Sequence, residues 1–512
     1  MIYDFSILSG YELSGVDVAQ GRRNKYFRHA GIDVKYIFTE VPLQESIERY
    51  KELGLKEDQM LCVQAYMIGE YDLSGKVLAD NWILNFQKME PDITIEKNSK
   101  EIQLNVNGKK SIVLLLREDG KSFYASNYYD NERLISQDFY LDRLVWSIHY
   151  ITDSKNGCLY AKKSRTVFYT KDGNICYEWI DGIESYQFAN GEILSKTEFM
   201  QRFLEKINFT EDDIILIDRP MMNDFVQPLF KLQLKASIYV FLHSGHYFFP
   251  DEEPTAVYWN REYYYYFKHA AQLKGFIVSS EEQKLDLKND LKKENLFCPE
   301  IYVIPVCGIE SIDKPIKSRI PYSIVTASRL HDRKQIDLMI RAVVLAHQKI
   351  QEIIFDLYGS GKQDYLNYLN QIVKEANAQD YIHFMGQQQM KDKYSNYEMF
   401  ITASKWETLG LSMMEALSSG LSIIGWNVRY GNHIFIRNNV NGKLVDISLD
   451  ELNGSDSYNT SVQKMAMAIV EVFSDRRKLK MFEQNSYRIA EGFLDTEIEK
   501  AWLKFFDEVK IR

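Results

Sequence analysis

Short apolar runs alternate with longer stretches of helical periodicity through most of the chain. Turn or polar residues bound these runs, which is typical of buried strands in a parallel sheet with crossover helices. From residue 211 the runs are IILI (214–217), SIYVFL (237–242), FIV (276–278) and IYVI (301–304). After Pro321 they are SIV (323–325), IIFDLY (353–358), YIHF (381–384), MFITA (399–403), LSIIGW (421–426) and GKLV (442–445). The pattern therefore predicts two successive α/β domains.

The first 78 residues fit the same scheme and are assigned to the first of these domains. YDFSIL (3–8) and VKYIFTE (34–40) are predicted strands, and the segment between them is a predicted helix that begins near Val16 and ends at Gly31. Glycine after a helix is favoured because it adopts the left-handed conformation at little cost. LDLKNDLKKENLF (285–297) has the periodicity of an amphipathic helix.

Between residues 80 and 200 the pattern changes to alternating segments separated by turn dipeptides. Asn-Gly and Asp-Gly favour hairpins, because both central residues of a type I′ turn need a positive φ. The dipeptides are Asn107-Gly108, Asp119-Gly120, Asp172-Gly173 and Asn190-Gly191. We therefore predict an antiparallel β-meander inserted into the first α/β domain.

The predicted meander is rich in aromatic residues, which favour interfaces because they join an apolar body to a polar tip. They are Tyr124, Tyr128, Tyr129, Phe139, Tyr140 and Trp146. So many rings are difficult to bury on one face of a small sheet, so we expect a docking surface. The alternative is a meander that only extends a core.

Composition narrows the classes of partner. The chain has 512 residues, 45% of them apolar, with 62 basic and 72 acidic residues. This balance shows no general preference for nucleic acid, so a polyanion would need a local basic site. The five cysteines never occur in C-x-x-C spacing, which argues against a disulfide framework or a zinc site. Neither a secretory signal nor a long apolar span is visible, so we expect a cytoplasmic protein.

Candidate chemistry lies where strands end, because ligands of parallel sheets bind at the carboxyl ends of strands and, here, in the cleft expected between the domains. Gly10 and Gly15 precede the first predicted helix, whose N-terminus would favour an anion, although two glycines are also a common turn. His243 follows SIYVFL, where a structural histidine is the simpler alternative.

Arg329 and Lys334 follow the strand that opens the second domain, with Lys334 predicted just inside the next helix. Cations at a helix start oppose the helix dipole, so an external anion would resolve the misfit. A diphosphate suits a planar guanidinium and a mobile ammonium. Two solvated surface cations are the alternative.

Two carboxylates follow the strand MFITA. Glu407 lies in a glycine-containing loop, and Glu415 lies about one turn into the helix LSMMEALSSG, which ends before Gly420. The strand, loop, helix and strand around them place the loop backbone near Thr408 to Gly410 where it can face a ligand.

These residues resemble the retaining nucleotide-sugar glycosyltransferases of family 4, which have the GT-B fold. The shared features are Ser-Arg-Leu-x3-Lys at 328–334, the LYGSG turn at 357–361, Gly386, and Glu407 with Glu415. The resemblance implies an α/β protein with two Rossmann-like domains facing a cleft, here with an inserted antiparallel β-meander domain in the first.

A closer resemblance covers nearly the whole chain. SGVDVAQ, the meander, ILIDRP (215–220), HSGHY (243–247), TASRLHDRKQID and WNVRYGNHIFIRNNVNGKLV are similar to the GtfA subunits of the bacterial accessory-Sec pathway. It implies transfer of the first N-acetylglucosamine from UDP-GlcNAc to Ser or Thr of a serine-rich-repeat adhesin in the cytoplasm. It also implies a GtfB-like partner subunit in a hetero-oligomer, and it is compatible with peripheral association at the inner face of the cell membrane.

The resemblance also implies roles for individual residues. Gly15, Val16, Asp17 and Val18 would lie at the donor diphosphate, and Gly386 and Gln387 at the nucleotide base. His243 would touch the donor sugar, Arg329 and Lys334 would neutralise the departing UDP, and Glu415 would bind the ribose. Glu407, Thr408, Leu409 and Gly410 would hold the sugar hydroxyls; Glu-Thr-Leu-Gly replaces the family's Glu-Gly-Phe-Gly, which leaves the donor open. Glu407, His243, Arg329 and Lys334 are the candidate catalytic residues.

The expected domains are 1–78 with 201–318 (acceptor side), 79–200 (inserted sheet, partner and acceptor binding), 319–485 (nucleotide-sugar domain) and 486–512 (a helix returning to the first domain). No metal or other cofactor is expected, because cations and helix dipoles can meet the leaving-group charge. Retention could arise from front-face attack or through a covalent intermediate. The alternatives are a UDP-glucose-dependent enzyme, a wall-teichoic-acid glycosyltransferase and a non-catalytic partner subunit.

Overall fold

The computed structural model describes residues 1–7, 15–41, 44–155, 158–219, 223–247, 257–314, 318–447 and 458–509. The chain divides into two compact units, Met1–Tyr239 and Val240–Lys510. The finer division expected from the sequence, with boundaries near residues 78, 200, 318 and 485, stays a prediction.

The first and last parts of the first unit form a parallel sheet with its helices. Its elements are β1 (Ile2–Ser6), α1 (Gly15–His29), β2 (Val34–Phe38), α2 (Gln44–Glu52), β3 (Met60–Cys62), α3 (Val63–Met67), α5 (Lys196–Ile207), β15 (Ile214–Ile217) and α6 (Asn223–Lys231). Strand β1 lies between β15 and β2, with Ile2 beside both Ile214 and Val34. All four residues of β15 are buried, which explains its unbroken apolar sequence. Gly31 has φ +69°, as expected for a helix end.

The predicted meander is an antiparallel sheet in which, among the described residues, ten strands follow one another in chain order, while the short strand Val77–Leu78 pairs with Ser122–Asp130. Its elements are β4 (Val77–Leu78), α4 (Ala79–Met89), β5 (Ile93–Lys97), β6 (Glu101–Val106), β7 (Lys109–Leu116), β8 (Ser122–Asp130), β9 (Arg133–Tyr140), β10 (Leu144–Lys155), β11 (Cys158–Tyr169), β12 (Ile175–Ile180), β13 (Ser185–Phe188) and β14 (Ile193–Ser195). The prediction of sheet from residue 80 is wrong at its start, where α4 packs Ala79 and Ile83 against β6, β7 and β8.

The four turn dipeptides differ in conformation. Asn107 and Gly108 both have positive φ, as a type I′ turn requires. In the other three dipeptides the glycine has a positive φ, whereas the residue before it does not. Asn131 and Glu132, which the sequence did not single out, both have positive φ between β8 and β9.

The expectation that the meander aromatics lie on an open surface is wrong for two of the six. Phe139 and Trp146 are 4% and 3% exposed, and their rings stack 5.3 Å apart across β9 and β10. The other four, Tyr124, Tyr128, Tyr129 and Tyr140, are half-buried. The cause is cross-strand pairing, which places Trp146 beside both Phe139 and Phe168.

The second unit contains two groups of parallel strands. The smaller group and its helices are β16 (Ser237–Phe241), which begins in the first unit, α7 (Arg261–Lys268), β17 (Gly275–Val278), α8 (Glu281–Lys293) and β18 (Glu300–Val303). Within the described residues that follow the larger group, the helices are α13 (Tyr458–Ser474), α14 (Arg476–Glu491) and α15 (Asp495–Val509). Helix α15 packs on the smaller group through Trp502 against Phe241 and Phe505 against Tyr302.

The larger group is a six-stranded sheet in the order β21-β20-β19-β22-β23-β24. Its elements are β19 (Ser323–Ala327), α9 (Ile336–His347), β20 (Ile354–Tyr358), α10 (Gln363–Glu375), β21 (Ile382–Gly386), β22 (Met399–Ile401), α11 (Leu411–Ser418), β23 (Ser422–Trp426), α12 (Gly431–Phe435) and β24 (Gly442–Val445). Strands β19 and β22 are neighbours although two strands separate them in sequence, so the loops at their carboxyl ends lie side by side. None of the helices described here has the length and apolar character of a transmembrane span.

Candidate active site

The loops after β19 and β20 are joined by backbone hydrogen bonds. Ser328 N donates to Tyr358 O at 3.1 Å, and Leu330 N donates to Ser360 O at 2.7 Å. Gly359 has φ +138°, and a Cβ there would lie 1.9 Å from Ser328 O. This close approach requires glycine at position 359 of the LYGSG turn. The turn supports the segment that carries Arg329.

Arg329 is exposed at the carboxyl end of β19. Among the residues that the structure describes, its side chain forms no ion pair or hydrogen bond. A guanidinium presents several N–H donors in a fixed plane, which suits a phosphate. Arg329 therefore offers an uncompensated positive charge at the edge where parallel sheets bind ligands.

Lys334 forms an ion pair that the sequence did not predict. Its Nζ lies 2.5 Å from Glu407 Oε2, and the two side chains are 28% and 20% exposed. The placement of Lys334 inside a helix is wrong: it ends a 3-10 turn, and α9 begins only at Ile336 because Gln335 is left-handed with φ +46°. Glu407 therefore balances part of the positive charge that the sequence places before this helix.

The loop from Glu407 to Gly410 is held mainly through its backbone. Glu407 O accepts hydrogen bonds from Tyr430 N at 2.9 Å and from Gly431 N at 2.6 Å. Gly410 has φ +85° and precedes α11. Thr408 is buried, as is Leu409, so the side chain that replaces the family's glycine packs into the protein.

A small recess, with room for about one water molecule, borders the Lys334–Glu407 pair. Its walls come from the ends of β19 and β22 and from the start of α11. The lining residues are Thr326, Ala327, Ser328, Lys334, Met339, Phe400, Thr402, Ser404, Glu407, Gly410, Ser412 and Met413. Hydroxyl groups and one ion pair share this lining with apolar side chains.

Glu415 lies on α11 and is half-buried. It interacts with the hydroxyl of Tyr394, and burial together with the Glu415 charge raises the pKa of that phenol well above its ordinary value. Tyr394 therefore stays neutral. This tyrosine, which the sequence did not single out, belongs to the surroundings of Glu415.

Gly386 and Gln387 are exposed at the end of β21. Gly386 has φ +69°, and its carbonyl accepts a hydrogen bond from Gly359 N at 2.9 Å. Gln387 Oε1 accepts a hydrogen bond from Ser360 Oγ at 3.0 Å. These two residues therefore adjoin the same turn that supports the Arg329 segment.

His243 is half-buried in the loop after β16, with its ring stacked on Phe241 at 4.4 Å. The backbone N–H groups of His243 and Ser244 both donate to the hydroxyl of Tyr263 at 3.1 Å. Burial raises the pKa of Tyr263 to about 12, so this acceptor keeps its proton. The loop conformation is thus tied to a buried phenol on α7.

Gly245 brings this loop against the residue that precedes Glu407. A Cβ at Gly245 would lie 1.8 Å from Trp406 Cζ2, so only glycine fits beneath the indole. The structure thereby brings the loop that carries His243 into contact with the loop that carries Glu407. Neither Gly245 nor Trp406 was predicted from the sequence, where the glycine between two histidines in HSGHY was the available signal.

Gly15, Val16, Asp17 and Val18 belong to the first unit, where α1 begins. Asp17 is buried and accepts a hydrogen bond from Tyr50 at 2.8 Å, and it pairs with Arg219 at 2.9 Å. The carboxylate therefore has a structural task within this unit, while Gly15 is exposed. Gly10 lies outside the described residues.

Comparison with known proteins gives the family. Residues 310–488 match the family Glycosyl transferases group 1. The GtfA subunit of the UDP-N-acetylglucosamine–peptide N-acetylglucosaminyltransferase of Streptococcus agalactiae is 32% identical over 99% of this chain and 98% of its own length. The corresponding subunit of Streptococcus gordonii is 30% identical over 99% of each chain.

Solved structures agree with the sequence comparison. The pneumococcal O-GlcNAc transferase GtfA, solved with UDP and GlcNAc, superposes with a TM-score of 0.85 at 30% identity, covering 100% of this chain and 99% of that one. TarM, at 17% identity and a TM-score of 0.73, covers 99% of this chain and 98% of its own and shares the fold alone. These matches confirm the predicted GT-B fold class with its inserted antiparallel sheet. The chain belongs to the GtfA family of glycosyltransferases.

Proposed function

We propose that this chain transfers N-acetylglucosamine from UDP-GlcNAc to Ser or Thr hydroxyls of a serine-rich-repeat adhesin, as the first step of its O-glycosylation in the cytoplasm. The observation that carries the proposal is that the exposed Arg329 follows the same strand as Lys334, whose ion pair with Glu407 joins adjoining strand ends of the six-stranded sheet. The GtfA relatives, which act on UDP-N-acetylglucosamine and peptides, supply the identity of donor and acceptor.

The site residues suit the departure of UDP. The bond between the sugar C1 and the diphosphate oxygen breaks, the bond from C1 to the acceptor oxygen forms, and the acceptor proton leaves to a base. Arg329 and Lys334 would meet the charge that grows on the diphosphate, and Lys334 has N–H donors beyond the one bound to Glu407. His243 and the loop Glu407–Gly410 would contact the sugar.

The ion pair also bears on how configuration is retained. An ammonium at 2.5 Å lowers the nucleophilicity of the Glu407 carboxylate. This favours front-face attack, in which the leaving phosphate accepts the acceptor proton, over a covalent intermediate on Glu407. In this scheme the two cations carry the role that a metal plays in other transferases, so we expect turnover to survive chelation.

A partner subunit is part of the proposal. A related chain, 29% identical with a TM-score of 0.84, has been solved as a GtfA/B complex. On this chain the outer ends of β10 and β11 expose Ile151 and Tyr160 on one face, at 54% and 43%, and Leu159 on the other face, at 61%. Exposed apolar side chains at these strand ends suit a protein partner, and we propose that a GtfB-like subunit covers the strand ends. Association of the complex with the inner face of the membrane is compatible with this arrangement.

The test combines the purified chain and its partner with UDP-GlcNAc or UDP-glucose and a Ser/Thr-rich peptide. We expect transfer of N-acetylglucosamine to peptide hydroxyls, detected by mass spectrometry, and an α-linkage detected by NMR. Preferred transfer of glucose would identify a UDP-glucose enzyme. Transfer to poly(ribitol phosphate) instead of peptide would identify a teichoic-acid enzyme, and no transfer from any donor would favour a non-catalytic subunit.

A further inference from the structure

Acidic side chains on helix α8 bind the segment that follows β23. Arg429 Nη1 lies 2.7 Å from Asp286 Oδ2, and Arg429 Nε lies 3.2 Å from Glu282 Oε1. His433 Nδ1 lies 3.0 Å from Glu282 Oε2. We call these four side chains the α8 clamp. The clamp joins a helix that packs on β17 and β18 to a segment that leaves the six-stranded sheet.

The clamped segment is the one that holds the loop of Glu407. Tyr430 N and Gly431 N, the two amides after Arg429, both donate to Glu407 O. Gly431 also packs closely on the loop, since a Cβ there would lie 2.3 Å from Leu409 O. A movement of Arg429 would therefore pass through two peptide units to the backbone of Glu407.

The side chain of Tyr430 strengthens this connection. It is fully buried, and the centroid of its ring lies 6.4 Å from that of His246, with the two rings 21° from parallel. His246 in turn binds Asp290, also on α8, at 2.9 Å. The segment is thus connected to α8 directly through Arg429, and indirectly through Tyr430 by way of His246.

We infer that Arg429 is a positioning residue, held by Glu282 and Asp286, that sets the loop Glu407–Gly410 at the donor sugar. The inference rests on the proposed function, because the loop matters to the rate only if it contacts the sugar. The Arg429 side chain is 45% exposed, so its ion pairs contribute little to global stability. Geometry is more sensitive, since a displacement of about 1 Å can cost on the order of 100-fold in rate.

The kinetic test compares Arg429→Ala, Arg429→Lys and Glu282→Gln with Lys443→Ala, in the complex with its partner. Lys443 makes a similar ion pair with Glu471 at 3.0 Å from strand β24, so it controls for loss of a surface pair. We expect kcat to fall about tenfold in Arg429→Ala, with KM for UDP-GlcNAc within about twofold because the lost contact concerns alignment. Arg429→Lys should recover part of kcat, and Lys443→Ala should match the wild type.

Hydrogen exchange tests the same inference without any activity. The amides of Tyr430 and Gly431 should exchange about tenfold faster in Arg429→Ala and in Glu282→Gln, and at the wild-type rate in Lys443→Ala. Unchanged exchange, or a wild-type kcat in Arg429→Ala, would overturn the inference. If the wild-type chain transfers no sugar, the proposed function fails. Faster exchange in Arg429→Ala would still show that Arg429 holds the backbone of Tyr430 and Gly431 in place.

Discussion

The substitution Lys334→Ala distinguishes the contribution of Lys334 to catalysis from its contribution to folding. The side chain pairs with Glu407 at 2.5 Å, and both groups are partly open to solvent, at 28% and 20% exposure. A pair in this setting contributes about 1 kcal/mol to folding. For a unit of this size that corresponds to a fall in Tm of about 2 °C.

The expected effect on turnover is much larger. If Lys334 meets charge on the departing diphosphate, its loss should cost about 3 kcal/mol of transition-state stabilisation, or roughly 100-fold in kcat. Glu407→Gln should fall by a similar factor, and the double substitution should cost less than the sum of the two, because the residues act as a pair. Lys334→Arg keeps the charge and should retain more activity than Lys334→Ala.

The assay follows UDP release and peptide modification by the complex, with Tm measured on the same samples. Lys443→Ala serves as the control for loss of an ion pair elsewhere in the second unit. A kcat for Lys334→Ala within about threefold of the wild type would refute the electrostatic role. A fall in Tm of about 8 °C or more would show that the lysine is mainly structural.

Three further predictions follow from other contacts. Gly245→Ala should lose about 1–3 kcal/mol of stability and part of kcat, because a Cβ would lie 1.8 Å from the adjoining indole; a wild-type Tm would contradict this packing. Leu159→Ser with Tyr160→Ser should weaken association with the partner in co-purification while leaving Tm unchanged, and intact association would remove these residues from the interface. Burial, reinforced by Asp218, raises the pKa of Asp4 from 3.8 to about 8, so the folded chain keeps a proton that the unfolded chain loses. The free energy of unfolding should therefore fall as pH rises from 3.8 to about 8. Urea titrations should show a smaller fall in Asp4→Asn, and equal falls in the two proteins would contradict this prediction.

Deleting residues 80–200 should disrupt the first unit as well as remove the proposed partner surface. Tyr177 of the meander is fully buried and donates a hydrogen bond to Gln64 O at 2.6 Å, and Gln64 also donates to the hydroxyl of Tyr186. The deletion would expose this part of the first unit. The paired serine substitutions on the outer strand ends leave these contacts in place.

Local patterns in the sequence determined where most strands and helices lie. Strands such as Ile214–Ile217 and Ser422–Trp426 are buried throughout, so their apolar runs mark them directly. The positions of Arg329 and Glu407 after strands also placed them at the carboxyl edge of a sheet. Helix α4 was not predicted because it lies beside segments of alternating pattern and has only two buried residues.

Only the tertiary structure decided which of these side chains meet. Strand order places β22 beside β19, so the loops after them adjoin, and Lys334 contacts Glu407 across 73 residues of sequence. Cross-strand register likewise buried Trp146 on the meander, although an amphipathic ring could have faced solvent. Periodicity reports which face of an element is buried, whereas the order and register of strands set the neighbours of each side chain, and these depend on contacts between distant parts of the chain.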